Sequence, residues 1–134
     1  YDTPPRKIDL HYDARRFDSG VYNLAGICAL GGSLNLLLEV GIDEIQVRVK
    51  ALTDRLVEGL QRRGWRVHSP RTSSEWSGIV AFGSSRHDLI ALKRHLRDEF
   101  RIIVAHRMGR LRASPHFYNS PEEIDQLVEA LPPG

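Results

Sequence analysis

An α+β architecture is expected of this sequence: a small antiparallel sheet with helices on one face, preceded by a buried connecting helix. From residue 42 onward the pattern runs helix, strand, strand, helix, strand, strand, helix. Each of those helices carries its apolar residues along one stripe, so each covers something apolar with one side and meets water with the other. The 134 residues, 41% hydrophobic and 27% charged, suit one compact folded domain rather than a disordered chain.

Residues 1–22 are polar, interrupted by Pro4 and Pro5, and read as an extended connector with a short strand around 8–12. The chain opens on Tyr1 without the apolar core or cleavage pattern of a signal peptide, so it is expected to be cut from a longer protein. Asn23 is a good N-cap for the almost charge-free run 24–38. A membrane span needs roughly 20 predominantly apolar residues; this run is shorter and is broken by Gly26, Gly31 and Gly32. A connecting helix buried on most sides is therefore expected at 23–41, with Gly41 ending it in a left-handed cap.

The compact domain proper is expected at 42–134. Its first helix, 42–63, gathers Ile45, Val49, Leu52, Leu56 and Leu60 on one face and Asp43, Arg48, Lys50, Asp54 and Glu58 on the other. Gly64 stops it. Residues 65–68 alternate as a short strand, and 79–82 make a second, unbroken apolar one. Ser85 followed by Asp88 has the spacing of a capping box, ahead of a helix bearing Leu89, Leu92, Leu96 and Phe100. Strands are expected at 102–104 and 111–114. Ser120, Pro121 and Glu123 supply N-cap, first-turn proline and capping-box partner for a last helix with Ile124, Leu127, Val128 and Leu131 inward.

Composition narrows the function. Cys28 is the single cysteine, so no intramolecular disulfide or thiol pair for zinc can form, which fits a reducing, cytoplasmic setting. Its neighbours Ile27, Ala29 and Leu30 read as the surroundings of a small buried residue. The net charge of +2 is slight, no basic run is joined to an aromatic platform, and the six histidines show no metal-ligand spacing. Neither a nucleic-acid partner nor a metal is expected.

The stretch 107–125 is the most informative. After a tight turn at Met108-Gly109, strand alternation sends Leu111 and Ala113 to one face and Arg110, Arg112 and Ser114 to the other. A guanidinium held there is a planar fork of donors matched to a carboxylate or phosphate. The plainer reading is a half-exposed strand whose arginines face water.

Two motifs separated along the chain carry a resemblance. Arg107, Gly109, Leu111, Arg112, Ser114, Tyr118, Asn119, Glu122, Glu123, Ile124 and Asp125 follow the pattern R-x-G-x-L-R-x-S-x-x-x-Y-N-T-x-E-E-I-D, with Ser120 in place of the usual threonine. Upstream, Arg16, Phe17, Asp18, Gly20 and Asn23 are similar to R-F-E-x-G-T-x-N. Both resemble the closing part of the class V aminotransferase family, pyridoxal 5'-phosphate enzymes of fold type I that include cysteine desulfurases, selenocysteine lyases and isopenicillin N epimerase-like proteins.

The resemblance implies a C-terminal small domain leaning against a large cofactor-binding domain, a homodimer in the full-length protein, and an amino-acid substrate. It implies that Arg112 binds the substrate α-carboxylate and that Arg107 stands at the mouth of the site. Gly20 and Val21 occupy the place of a Gly-Thr pair that reaches the cofactor phosphate of the partner subunit. Val21 departs from the pattern, leaving backbone donors only. The desulfurase cysteine has no counterpart in the 108–111 segment, so desulfuration through that loop is disfavoured. Lys7, Lys50 and Lys93 all lack the Schiff-base context, so this chain alone is expected to be inactive. His106 and His116 flank the substrate strand and are expected near the crevice. From a different class, the alternative is a non-catalytic α+β module that binds a ligand or partner through its sheet face; a start codon close to Tyr1 would favour it.

Overall fold

The computed structural model describes residues 9–18 and 20–134, which fall into two compact units divided between Leu36 and Leu37. In the first unit a single turn of 3-10 helix, Ala14–Phe17, lies where an extended connector was expected, capped by the Asp13 carboxylate accepting from the Arg15 N–H at 3.0 Å. Residues 9–12 form no strand, and Ile8, Pro4, Pro5 and Lys7 lie outside the described residues. Helix α1 (Leu24–Val40) begins as expected, with the Gly26 N–H donating to Asn23 Oδ1 at 2.9 Å.

The expectation that α1 is buried is corrected, because none of its residues is buried and Cys28 is exposed. Apolar character on every side specifies a helix that needs cover, and does not say which chain segment supplies it. No single helix among the described residues is long and apolar enough to cross a membrane. Gly41 has φ 91 and ψ 132, a positive-φ backbone that favours glycine but lies outside the left-handed helical region, and it serves as the N-cap of the next helix.

The second unit contains α2 (Ile42–Arg62), β1 (Arg66–Val67), β2 (Val80–Gly83), α3 (Leu89–Phe100), β3 (Ala105–Arg107), β4 (Arg110–Ala113) and α4 (Pro121–Ala130). The four strands pair antiparallel in the order β1-β2-β4-β3. Val80 and Phe82 of β2 and Leu111 and Ala113 of β4 face a single core, where they meet Leu52, Leu56 and Leu60 of α2, Leu96 of α3, and Ile124 and Leu127 of α4. All three helices thus cover one face of the sheet, and the other face is left without them.

Local chemistry sets the element ends. The α3 cap is Asp88 rather than Ser85: its carboxylate accepts the Ile90 and Ala91 N–H groups at 2.9 and 3.1 Å, and those bonds hold the carboxyl below its ordinary pKa. At the other end Arg101 turns left-handed (φ 57) and the Ile102 N–H returns to Leu96 O at 2.9 Å. Residue 102 is thereby taken by the helix end, Ile103 is 84% exposed, and strand pairing starts three residues later than the apolar run 102–104 implies. The β3–β4 link is a two-residue turn with positive φ at both Met108 (50°) and Gly109 (70°), which matches the right-handed twist of the strands it joins.

Helix α4 is fixed to the rest at its start and along its length. Ser120 Oγ accepts from the Glu123 N–H at 3.3 Å while Glu123 Oε2 accepts from the Ser120 N–H at 2.9 Å, the reciprocal capping box. Arg55 on α2 forms a two-pronged pair with Asp125 at 2.7 and 2.5 Å, and this pair holds the Asp125 carboxyl below its ordinary pKa. Replacing Ser120 with alanine is expected to cost about 1 kcal/mol of stability, read as a lower urea midpoint at unchanged slope; no shift in midpoint would show that the cap contributes nothing.

Candidate functional site

The strand register arranges the uncovered sheet face in two rows. Arg112 lies between two small residues, with Ala81 of β2 as partner on one side and Ala105 of β3 on the other. His68, just past β1, donates its N–H to Ala81 O at 2.8 Å and so joins the same row. In the second row Arg66 pairs with Gly83, and Arg110 pairs with Arg107 across the Met108-Gly109 turn. Extending the β2–β4 register by one residue sets Gly83 beside Arg110. Side chains opposite one another in an antiparallel pair share a face. The charged residues of both rows, four arginines and one histidine, can only be positive, and the positions between them are alanine or glycine.

The alternation expected for the fourth strand is present: Leu111 and Ala113 are buried, Arg110 is exposed and Arg112 is half-buried. Arg112 Nε is buried and has no hydrogen-bond partner among the described residues. A guanidinium with one donor out of water and unsatisfied is poised for an incoming acceptor, since an unpaired buried donor is costly and a charge-assisted bond relieves it. Arg107 is exposed, and its guanidinium donates from Nη1 to the carbonyl of the preceding residue, His106, at 3.3 Å. His106 itself pairs with Leu111, so it points to the helix-covered side; the expectation that it lines the same crevice as Arg112 is corrected.

The segment after β4 fixes that strand's end. The His116 N–H donates to Asn119 Oδ1 at 2.8 Å, Asn119 Nδ2 donates to Glu123 Oε2 at 3.0 Å, and Arg48 reaches Asn119 O at 3.1 Å. The His116 ring stacks on Tyr118 with centroids 5.1 Å apart, and His116 Nδ1 is buried without a partner among the described residues. Asn119 thus ties the aromatic loop to the α4 capping box, a role its place in the motif did not disclose.

Gly20 and Val21 belong to the first unit. Gly20 has φ 76, Val21 is 83% exposed, and both precede the first turn of α1. Backbone N–H groups ahead of a helix start suit an anion. Lys50 Nζ is engaged with Asp54 Oδ2 at 2.6 Å, and Lys93 lies on α3.

Sequence reasoning overlooked Arg66 and His68 as members of the Arg112 face. They sit more than forty residues upstream, and only the β1-β2-β4-β3 strand order, which no local pattern encodes, brings them there.

With this geometry in place, the comparisons identify the family. The aminotransferase class-V family model matches residues 5–127, and the chain belongs to that family. It is 29% identical to a probable cysteine desulfurase of Pyrococcus abyssi over 132 residues, covering 87% of this chain and 32% of the relative. The uncharacterized aminotransferase YcbU of Bacillus subtilis is 27% identical over 118 residues, covering 88% of this chain and 31% of YcbU. The chain therefore spans about a third of the length of these curated relatives. Among solved structures, a cysteine desulfurase of Thermococcus onnurineus NA1 in its apo form superposes with a TM-score of 0.77 at 24% identity, over 91% of this chain and 35% of that one. An alanine-glyoxylate aminotransferase of Nostoc sp. gives 0.71 at 22% identity, over 88% and 33%. At these identities the solved structures establish the shared fold.

Partial burial, and then the charges of Arg110 and Arg66, hold the His68 imidazole below its ordinary value of 6.5. The unfolded chain takes up this proton more readily than the folded one. Stability from this group is therefore fully present above the ordinary value and is lost as pH falls through the folded value. Urea midpoints are expected to drop on acidification through this range, and to drop less in His68→Asn; identical slopes in the two proteins would contradict the assignment.

Proposed function

We propose that this chain is the C-terminal small domain, with its connecting helix, of a pyridoxal-phosphate-dependent class V enzyme that acts on an amino acid, and that Arg112 is its substrate carboxylate anchor. The observation that carries the reading is Arg112 itself. It is half-buried in the middle of an uncovered sheet face, flanked by Ala81 and Ala105, with Nε inaccessible to water and unpaired among the described residues. Membership of the class V family supports the cofactor, because its enzymes in general depend on pyridoxal phosphate.

The described residues fit the anion-holding share of such a site. The orphaned donor of Arg112 suits a carboxylate, and the backbone N–H groups at Gly20 and Val21 suit the cofactor phosphate of the partner subunit in a homodimer. When bound, the cofactor supplies an electron sink for a bond broken at Cα or Cβ of the substrate. This chain's part is positional. Two parallel N–H···O bonds from one planar fork fix the carboxylate plane, which limits rotation of the remaining Cα bonds. The alanines on either side leave the fork unobstructed, and Leu111 and Ala113 beneath the strand keep it from tilting inward. Arg107, exposed on the neighbouring strand, adds positive charge at the edge of the same face.

The Schiff-base lysine is assigned to the part of the protein outside this chain, since none of Lys7, Lys50 and Lys93 stands in the sequence context the family resemblance calls for. The chain alone is accordingly inactive in this reading.

In the full-length protein, Arg112→Ala is expected to weaken amino-acid binding by about 100-fold, the loss of two charge-assisted hydrogen bonds. Cofactor affinity, followed by the visible absorbance of the bound cofactor, is expected to stay within a few-fold. Equal loss of both would refute the assigned role.

A further inference from the structure

Arg112 leaves one feature of the basic face unexplained. A groove of about 490 Å3 at the β3–β4 turn end of the sheet is lined by Arg66, His68, Ser84, Ser85, Arg86 and Arg110, and the rest of its wall is glycine. No carboxylate side chain lines it among the described residues. Arg86 is engaged, donating from Nη1 to Gly134 O at 2.8 Å. Arg66 and Arg110 take part in no ion pair among the described residues.

Gly83 forms the floor between those two arginines. Arg66 is its partner on β1 and Arg110 lies beside it on β4, so the two Cα atoms are separated by two strand spacings, about 10 Å. Two arginine side chains reaching inward over that span can close on one oxyanion. A Cβ built at residue 83 would lie in ordinary contact, 3.6 Å from His68 Nε2, 3.7 Å from Leu89 Cδ1 and 3.9 Å from Gly109 O, so glycine here keeps the floor free of a side chain. The serine hydroxyls on the rim are further donors. Such a set, with two forked cations outside any ion pair, hydroxyls and no acidic side chain among the described residues, is matched to a multiply charged tetrahedral oxyanion rather than to a neutral or cationic ligand.

We propose that this groove binds a phosphate- or sulfate-class oxyanion, held between Arg66 and Arg110 over Gly83 and separate from the carboxylate assigned to Arg112. His68 links the site to pH. The charged groups acting on its ring are Arg110 from β4 and Arg66 from β1, both cationic. An oxyanion among them favours the imidazolium, so binding tightens as pH falls through the histidine range.

The test is equilibrium dialysis of labelled sulfate against the cofactor-loaded full-length protein at fixed ionic strength, because sulfate stays doubly charged through that range. Saturable binding is expected, tighter at lower pH, weakened at least about tenfold in Arg66→Gln/Arg110→Gln and retained in Arg112→Gln. Gly83→Val keeps every charge while filling the floor, and it too must weaken binding, which guards against a misfolded arginine variant. Competition by inorganic phosphate and by glycerol phosphate separates the two sources: stronger displacement by the ester points to a phosphorylated small molecule, stronger displacement by the free ion to phosphate, and either supports the groove. The proposal is overturned if sulfate shows no saturable binding, if chloride displaces it equally well, if Gly83→Val binds as tightly as the parent, or if binding is lost in Arg112→Gln and kept in the double variant.

Discussion

One constraint governs the candidate site: the register of β4. It is hydrogen-bonded on both sides, to β2 and to β3, and its four residues alternate between a core of leucines and a face of arginines. Sliding the strand by a single position would drive the Arg112 guanidinium among Leu56, Leu96 and Leu127 and turn Leu111 outward. Burying an unpaired charge in that core costs several kcal/mol, so the sequence tolerates one register. The turn at Met108-Gly109 fixes it from one end, through a positive-φ backbone geometry that closes a two-residue hairpin without splaying its strands. Asn119 and the α4 capping box fix it from the other.

The one-sided helix layer follows from the same economy. Three amphipathic helices have enough apolar stripe to cover one face of a four-stranded sheet, and Phe82, Val80, Leu111 and Ala113 supply the complementary surface. The other face has small residues between its cations, and none of those cations takes part in an ion pair among the described residues. A surface of like charges is destabilising to keep without a purpose. Its two rows divide the work in the present account, with one centred on Arg112 and the other on the glycine-floored groove between Arg66 and Arg110.

Much of this was legible in the residues. The spacing of Leu52, Leu56 and Leu60 marks the inner face of α2, Ser120 with Glu123 marks the start of α4, and the alternation of Leu111 and Arg112 gives the orientation of β4. Each is a local pattern whose period or cap chemistry needs no partner to be read. What failed to show depended on something non-local or on competition between neighbouring signals. Ile102 looks like the start of a strand but is claimed by the end of α3 through its bond to Leu96 O. Asp88 outcompetes Ser85 as a cap because its carboxylate accepts two N–H groups at once. The apolar helix α1 advertises burial without having any in this chain. Arg66 and His68 join the site only through strand order, and the motifs that point to the class V family say nothing of them.

The account stands or falls on what completes the bonding of Arg112. A crystal structure of the full-length protein with an amino-acid ligand is the direct measurement. The predicted result is a ligand carboxylate within about 2.7–3.2 Å of the Arg112 guanidinium, with Nε as one of the donors. A protein carboxylate paired to Nε, with the ligand carboxylate bound elsewhere, would contradict it.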